Sequence, residues 1–287
     1  MLDKIVPLKI KYYFELIRFS KPTGFMLLMW PSWFALTLVP SNSINLIKWY
    51  IFFFIGAFLM RSAGCIINDL IDINIDKNIS RTANRPLTSK KISKNEAIIF
   101  LFLLFLLSFI ILLQFNLFSI LIGISSIPII VLYPFMKRYT YWPQLILGIV
   151  FSWGVIIVSF QFLNNFNLNF IILYFGCIFW TLAYDTIYAY QDREEDIVNN
   201  IKSTAVLLGD GGLKYIKVFY LVFFSTIGYL SWKTSHNIYS LAIVIIFLFA
   251  MNIILNKLNI KSIKSTNFYF KLNNLIGLCC FIYLLTF

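Results

Sequence analysis

Long apolar runs alternate with short polar segments along the whole chain. Each run is about 17 to 22 residues long, the length of a helix that crosses the hydrocarbon core of a bilayer. Backbone groups in lipid must be hydrogen-bonded within their own segment, so every run is predicted to be an α-helix. Nine spans are predicted, at residues 22–40, 49–67, 97–113, 116–135, 143–162, 168–189, 215–232, 238–256 and 268–287.

Composition agrees with this pattern. Hydrophobic residues make up 60% of the chain and charged residues only 13%. A soluble domain of 287 residues cannot bury that much apolar surface in one core. The sequence therefore predicts an all-α membrane protein, in which residues 1–287 form one bundle of nine transmembrane helices.

The basic residues predict the orientation of the bundle. With the N-terminus on the cytoplasmic side, nearly all of the 24 lysines and arginines fall in cytoplasmic segments. Only Lys48 and Lys233 fall outside, and Arg61 lies within the second span. The positive-inside rule thus favours a cytoplasmic N-terminus and an external C-terminus. The net charge of +12 is interpreted as topology and attraction to anionic lipid, with no nucleic-acid partner expected.

Several features exclude other classes of site. Residues 1–21 are charged and precede a full span, so no cleaved signal peptide is predicted. The single histidine, His236, lies in a predicted external turn, and all four cysteines lie in apolar spans without a C-x-x-C pattern. A metal site built on histidine or cysteine is therefore not expected.

The acidic residues are concentrated in two predicted cytoplasmic segments, at about 68–96 and 190–214. Only Asp3 and Glu15 lie near the N-terminus. The other members of the set of 12 are Asp69, Asp72, Asp76 and Glu96, then Asp185, Asp192, Glu194, Glu195, Asp196 and Asp210. Acidic residues contribute little to topology, so topology does not explain this distribution.

The spacing of these residues predicts two carboxylate stripes, each at the inner end of a membrane helix. At about 100° per residue, Asn68, Asp69, Asp72 and Asp76 fall within an arc of about 100°. Asp185, Asp192 and Asp196 fall within about 40°, with Asp185 about 10 Å deeper than Asp192. A carboxylate at that depth is expected to face a polar cavity or a cation.

Carboxylate oxygens without histidine or cysteine suit Mg²⁺, which binds one or two carboxylates together with substrate phosphate oxygens. The stripes are therefore predicted to hold Mg²⁺ around a diphosphate, through Asp69, Asp72, Asp76, Asp192 and Asp196. Basic groups that match phosphate or carboxylate oxygens lie close by in the sequence. These are Arg81, Arg85, Lys137 and Arg138.

Each of these residues also has a simpler interpretation. Acid-rich loops are often merely solvated, and Glu194 and Glu195, which lie off the stripe, are expected to be so. The positive-inside rule alone accounts for basic residues at the inner ends of helices. Arg61 lies two turns before Asn68 on the same face and is expected either to pair with an acid or to bind an anionic substrate.

The motifs resemble those of the UbiA-type intramembrane prenyltransferases. The resemblance is carried by "KPTGFMLLMWPSWFAL", "LMRSAGCIINDLIDINIDKNISRTANRPL", "VLYPFMKRYTYWPQ", "AYDTIYAYQDREED" and "IKSTAVLLG", which occur in order along the chain. Within this family, "WPSWFAL" and "YPFMKRYT" resemble the bacterial 4-hydroxybenzoate polyprenyltransferases of ubiquinone biosynthesis. The resemblance implies a central cavity open to lipid, in a bacterial inner membrane, with the acid-rich loops facing the cytoplasm.

The resemblance also implies a reaction and roles for individual residues. A polyprenyl group would pass from its diphosphate to the ring carbon of 4-hydroxybenzoate meta to the carboxylate. Mg²⁺ would be held by Asp72, Asp76, Asp192 and Asp196, with Asn68 in support. Tyr133 and Lys137 match a diphosphate contact, and Arg138 a partner of the benzoate carboxylate. Asp185 is a candidate for orienting the phenol or holding a further metal.

Three alternatives remain open at this stage. Another acceptor, such as a naphthoate, homogentisate, a haem or a sugar phosphate, would require only a few different cavity residues. A cation transporter would place ionisable residues along a pathway at the bilayer midplane, whereas here they cluster at one face. A membrane scaffold without chemistry would not require carboxylates in phase.

Overall fold

A computed structural model describes residues 7–40 and 45–286, and the regular elements in these ranges are helices. The segments with Asp3 and Phe287 lie outside the described residues. The helices are α1 (Leu8–Leu16), α2 (Thr23–Thr37), α3 (Leu46–Asp72), α4 (Lys94–Leu112), α5 (Leu117–Ser125), α6 (Ile127–Tyr139), α7 (Pro143–Phe151), α8 (Trp153–Leu163), α9 (Leu168–Ala189), α10 (Arg193–Val198), α11 (Thr204–Leu208), α12 (Gly212–Ser235), α13 (Ile238–Asn256) and α14 (Ile263–Leu285), with single 3-10 turns at Asp76–Asn78 and Gly209–Gly211.

Eight helical segments within the described ranges are long and apolar enough to cross a membrane. They are Leu46–Asp72, Lys94–Leu112, Leu117–Tyr139, Pro143–Leu163, Leu168–Ala189, Thr204–Ser235, Ile238–Asn256 and Ile263–Leu285. Each coincides with one of the second to ninth predicted spans. The prediction of an all-helical membrane protein is thus confirmed.

The first predicted span, at residues 22–40, differs from expectation. Its helix, α2, has only 15 residues, which corresponds to about 22 Å at 1.5 Å per residue. The hydrocarbon core of a bilayer is about 30 Å thick. Among the described residues there are therefore eight candidate spans, and the predicted count of nine is not confirmed.

Two predicted spans are interrupted. The span at 116–135 is divided into α5 and α6 at Ser126, because Pro128 has no backbone N–H to continue the helix. The Ser126 hydroxyl donates instead to the Gly123 carbonyl at 2.6 Å. The span at 143–162 is divided into α7 and α8 at Ser152. Each interrupted span thus lines the bundle with two shorter helices whose axes need not coincide.

Helix α9 lies at the centre of the bundle and packs against α7, α8, α12 and α14. Its Trp180 is fully buried and stacks on Phe223 of α12, with ring centroids 4.9 Å apart. The Trp180 indole N–H and the Tyr220 hydroxyl both donate to Asn273 Oδ1 on α14, at 2.8 and 2.9 Å. This buried polar contact fixes the relative positions of three helices, because each unpaired member would lose a hydrogen bond.

Helix α4 lies at the periphery, packs against α3, and exposes the large apolar side chains of Phe102, Leu103 and Leu106. The first helix, α1, precedes the bundle and contacts α3. Lys9 pairs with Glu96 at the start of α4, and Tyr13 packs edge-on against Phe100. These contacts place α1 beside the inner ends of α3 and α4, close to the acid-rich segments.

Candidate active site

A cavity of about 1490 Å³ lies among helices α2 to α9. Its inner end is lined by charged side chains from the segments that follow α3 and α9. Deeper, its walls are largely apolar and include Phe53, Phe105, Phe109, Ile127 and Ile130. The cavity thus combines an ionic mouth with an apolar interior.

Most of the predicted site residues line this cavity, although they come from distant parts of the chain. Those in the wall are Arg61, Asn68, Asp76, Arg81, Arg85, Tyr133, Lys137, Asp185, Asp192 and Asp196. Asp69, Asp72 and Arg138 are not part of the wall. The predicted stripe on α3 is therefore only partly presented to the cavity.

Asp72 is the last residue of α3, and its side chain is fully buried. The Lys137 ammonium group at the end of α6 donates to Asp72 Oδ2. Arg138 NH2 is 3.8 Å from Asp72 Oδ1 and donates to the Ile71 carbonyl at 3.2 Å. Asp72 Oδ1 has no hydrogen-bond partner, so this carboxylate keeps the capacity to accept one more contact.

Asp69 and Asp76 share the guanidinium of Arg85. Arg85 NH1 is 3.0 Å from Asp69 Oδ1 and 2.8 Å from Asp76 Oδ2. Arg18, in the connection from α1 to α2, donates to the same Asp69 oxygen at 2.6 Å. Burial raises the pKa of Asp76; Arg85 opposes the rise, and the Asp69 carboxylate adds to it. A further cation beside Asp76 would therefore be stabilised by both carboxylates.

The second acidic segment is joined to the first by Arg81. Its Nε donates to Asp192 Oδ1 at 2.8 Å, and its NH2 donates to Asp192 Oδ2, which makes the pair bidentate. Arg81 also donates to the Tyr188 hydroxyl at 2.7 Å and lies over the Tyr188 ring. Burial raises the pKa of Asp196 to about 7, and the neighbouring Asp192 carboxylate adds to the rise.

A second contact joins the two segments near the surface. The Ser80 amide donates to Glu195 Oε2 at 3.1 Å, and the Ser80 hydroxyl donates to Glu195 Oε1. The expectation that Glu195 is merely solvated is therefore wrong, whereas Glu194 is exposed. Sequence spacing could not reveal this contact, since the two residues are 115 positions apart.

Arg61 has no ion pair or hydrogen bond among the residues that the structure describes. Its guanidinium carbon lies 5.8 Å from the centre of the Phe151 ring, within the cavity wall. Gly24 on α2 provides the space for it, since a Cβ at that position would lie 2.8 Å from Arg61 Nε. A buried guanidinium without an anionic partner is costly, so Arg61 is a candidate for binding an anionic group.

Asp185 lies on α9 in the wall of the same part of the cavity, next to Tyr184 and one turn before Tyr188. The cations whose charges act on it are Arg61 and Arg81. Asp185 thus lines the same cavity as Arg61 and Arg81, and its depth relative to Asp192 stays a prediction.

Two lysines of the cavity wall were missed as site residues by sequence reasoning. Lys21 and Lys271 form no ion pair within the described part of the chain, and both line the cavity. Burial lowers the pKa of Lys21, and the neighbouring Arg81, Arg18 and Arg85 lower it further. Lys271, counted above with the cytoplasmic lysines, lies in the first turn of the ninth predicted span and is its only charged residue, a signal that could have identified it.

Comparison with known families agrees with this arrangement. The family model described as the UbiA prenyltransferase family matches residues 28–275. This chain belongs to the UbiA prenyltransferase family. The resemblance inferred from the sequence motifs is thereby confirmed for most of the chain's length.

Members of the family with curated names are similar over nearly the whole chain. The 4-hydroxybenzoate octaprenyltransferase of Blochmanniella pennsylvanica is 37% identical over 276 residues, which cover 93% of this chain and 92% of that protein. The protein of the same name from Francisella tularensis subsp. novicida is 38% identical over 277 residues, 96% of each chain.

A UbiA homologue from Archaeoglobus fulgidus, solved bound to DMAPP and Mg²⁺, has the same fold. The TM-score is 0.67 at 15% sequence identity, and the alignment covers 96% of this chain and 99% of that chain. At this identity the likeness is one of fold alone.

The donor atoms of this UbiA chain fit Mg²⁺. Asp76, Asp192 and Asp196 present hard oxygen ligands to the cavity, and Asp69 Oδ2 and Asp72 Oδ1 are buried without hydrogen-bond partners. In the described ranges no three acidic, histidine or cysteine side chains form a group that could hold a metal ion unaided. Mg²⁺ usually completes its coordination with water and substrate phosphate rather than with an all-protein cage.

Proposed function

We propose that the chain is a Mg²⁺-dependent 4-hydroxybenzoate polyprenyltransferase. It transfers a polyprenyl group from polyprenyl diphosphate to the ring carbon meta to the carboxylate and releases diphosphate. One structural observation carries the proposal: a single cavity joins an ionic mouth to an apolar interior that contains one unpaired arginine. The 37% and 38% identical relatives named for this activity support it.

The diphosphate is assigned to the mouth of the cavity. Arg81, Arg85 and Lys137 each pair with a carboxylate there, whereas Lys21 and Lys271 have no acidic partner among the described residues. Asp76, Asp192 and Asp196 would hold Mg²⁺. Asp72, which precedes Asp76 by four residues in the first acidic segment, would be a further ligand. Bound Mg²⁺ supplies positive charge that stabilises the departing diphosphate. The basic residues bind and orient the phosphate oxygens, and Tyr133 lies in the wall beside them.

The polyprenyl chain is assigned to the apolar interior. Phe105, Phe109, Ile127 and Ile130 come from α4 and α6, which border the lipid-facing side of the bundle. Burying these side chains against an isoprenoid removes apolar surface from contact with water. The same walls exclude water from the allylic cation, or its loosely bonded equivalent, that forms when the diphosphate leaves.

The acceptor is assigned to the region between Arg61 and Asp185. The carboxylate of 4-hydroxybenzoate pairs with Arg61, whose fork geometry matches a carboxylate. This assignment replaces Arg138, because Arg138 lies outside the cavity wall beside Asp72. Asp185 orients the phenol hydroxyl, so that the ring carbon ortho to it attacks the allylic carbon and then loses its proton.

We also propose the topology that the charge distribution favours. In it, α2 counts as a ninth, short membrane helix, the two acid-rich segments face the cytoplasm, and the C-terminus is external. The membrane is the bacterial inner membrane, as the organisms of the two similar relatives suggest.

The proposal is tested with purified protein in lipid, radiolabelled 4-hydroxybenzoate, a polyprenyl diphosphate and Mg²⁺. We expect a prenylated product that disappears with a chelator and in the Asp72→Asn and Asp192→Asn variants. If the protein forms no product but binds the diphosphate in a Mg²⁺-dependent way, the proposal of a prenyltransferase stands and 4-hydroxybenzoate is rejected as its acceptor. If the protein forms no product and does not bind the diphosphate, the proposal of an enzyme is rejected and a cation transporter is favoured.

A further inference from the structure

Asp69 belongs to the first acidic motif, but it is placed differently from the other carboxylates. Its side chain is fully buried and is not part of the cavity wall. One oxygen, Oδ1, accepts from both Arg18 and Arg85, at 2.6 and 3.0 Å. Its other oxygen, Oδ2, is buried without a hydrogen-bond partner. Because the residue lies outside the cavity wall and two guanidinium groups hold its Oδ1, Asp69 is an anchor for cations rather than an accessible ligand.

Arg18 is itself held firmly in place. Its backbone has a φ of 60°, which is uncommon for a residue with a side chain. Its NH1 donates to the Leu16 carbonyl at 2.7 Å, while NH2 donates to Asp69. The connection between α1 and α2 is therefore fixed to α3 through the Asp69 carboxylate.

Arg18, Arg85 and Asp76 all line the cavity, and Arg85 is the cation of this network that also contacts a candidate Mg²⁺ ligand. Its NH1 lies between Asp69 Oδ1 and Asp76 Oδ2. Its Nε and NH2 make no hydrogen bond within the described ranges, so they are free to contact a ligand. Without Asp69, the positive charge of Arg85 would be drawn entirely to Asp76, which is a candidate Mg²⁺ ligand.

We propose that Asp69 is a positioning residue for diphosphate binding and not a ligand of the metal. By sharing Arg85 with Asp76, and being held by Arg18, it aims the free nitrogens of Arg85 into the cavity and leaves Asp76 available to Mg²⁺. The proposal rests on the proposed function of the mouth, and it extends the site to the connection between α1 and α2.

The test uses the full chain in lipid nanodiscs and the Asp69→Asn variant, which keeps the shape of the side chain. Binding of inorganic diphosphate is measured by calorimetry at a fixed Mg²⁺ concentration. We expect the Kd to rise about tenfold, as for the loss of one charge-assisted contact. In steady-state assays the KM for polyprenyl diphosphate should rise similarly, with the KM for 4-hydroxybenzoate unchanged. Asp69→Glu should recover part of the loss.

Asp210→Asn is the matched control, because Asp210 also lies between two basic residues, Arg193 and Lys261, but does not line the cavity. It should leave the diphosphate Kd unchanged. Arg18→Gln should reproduce the effect of Asp69→Asn, and the double variant should be no worse than Asp69→Asn alone. If Asp69→Asn does not fold, Arg18→Gln decides the matter by the same measurements.

The outcomes separate this proposal from the function on which it rests. Normal diphosphate binding by folded Asp69→Asn or, where that variant does not fold, by folded Arg18→Gln refutes the positioning role alone. An equal rise in both KM values with a lowered Tm also refutes it, since a merely structural loss would affect both substrates. A wild-type protein that shows no Mg²⁺-dependent binding of diphosphate refutes the proposed function and the positioning role together.

Discussion

The mouth of the cavity and its interior differ in how their charged side chains are paired. At the mouth, Asp72, Asp76 and Asp192 each accept from a basic side chain that comes from another part of the chain. In the interior, Arg61 faces Phe151 and has no acidic partner among the described residues. Most of the positive charge at the mouth is thus neutralised, with Lys21 and Lys271 as the unpaired exceptions among the described residues, whereas the one arginine of the interior is uncompensated.

This difference indicates what each region can bind. An anion at the mouth can meet the unpaired Lys21 and Lys271 directly. To engage the paired groups as well, a ligand must replace internal ion pairs and so has to offer charges of both signs, as a diphosphate with Mg²⁺ does. A ligand in the interior needs only one negative group, which would form an ion pair with Arg61. The following predictions test this contrast, in order of decreasing effect.

Removing a carboxylate at the mouth should have the largest effect. Asp192→Asn keeps the shape of the side chain but removes the charge that pairs with Arg81 and would bind Mg²⁺. We expect kcat to fall about 10²- to 10³-fold, as when one electrostatic contact to a transition state is lost. Single-turnover product formation measures this. A variant within about twofold of the wild type would show that the second acidic segment does not take part.

Mg²⁺ and diphosphate should bind the mouth cooperatively. Mg²⁺ alone must displace the internal partners of the carboxylates, and diphosphate alone must displace those of every cation except Lys21 and Lys271. Together they supply partners for both the carboxylates and the cations. We expect each to raise the affinity for the other by about 5- to 150-fold, the usual range of coupling between sites. Calorimetric titrations of one ligand at several concentrations of the other measure this. Binding of 4-hydroxybenzoate should not depend on Mg²⁺. If Mg²⁺, diphosphate and 4-hydroxybenzoate all bind independently of one another, the proposed difference between the mouth and the interior is wrong.

Displacing Arg61 should weaken the acceptor alone. In Gly24→Ala the new methyl group would lie 2.8 Å from Arg61 Nε, so the guanidinium must move. We expect the KM for 4-hydroxybenzoate to rise about 10- to 100-fold, as for a misplaced binding group. Gly56→Ala is the control, since a Cβ there meets nothing within 4 Å although Gly56 also lines the cavity. Equal effects of the two substitutions would argue against a role for Arg61.

The smallest effect is expected at the surface contact between the two segments. Glu195→Gln weakens the two hydrogen bonds with Ser80 at an exposed position. The free energy of unfolding should fall by no more than about 0.5 kcal/mol, measured as a shift in Tm. Glu194→Gln, at the neighbouring exposed position, should cause no shift. A larger loss for Glu195→Gln would mean that this contact, and not Arg81, holds the segments together.

Apolar run length was sufficient to predict eight of the spans, because the requirement for internal hydrogen bonding in lipid leaves helices as the one solution. It did not predict the interruptions at Ser126 and Ser152 or the short α2. The break at Ser126 follows from Pro128, which does not change the average hydropathy of the run. The break at Ser152 and the length of α2 depend on local backbone hydrogen bonds and on burial within the bundle, which do not change it either.

The chemistry of the site was predictable in residue type but not in pairing. Helical periodicity placed Asp69, Asp72 and Asp76 on one face, yet the chain ends α3 at Asp72 and turns, so Asp76 enters the cavity wall and the other two do not. Their partners Arg18, Arg85 and Lys137 follow from tertiary contacts. The lack of an acidic partner for Arg61 could not be predicted from the sequence either, since pairing with an acid and binding of an anionic substrate were both compatible with its position.

The Arg18–Asp69–Arg85–Asp76 network has a consequence for the order in which the chain is made. All its members lie between residues 18 and 85, so its charges can compensate one another once the first two predicted spans and the loop after them have been synthesised. Asp72 must wait for Lys137, 65 positions later, and Arg81 for Asp192, 111 positions later. The growing chain can thus complete one neutral part of the site early, whereas Asp72 and Arg81 gain their partners only after later helices have been made.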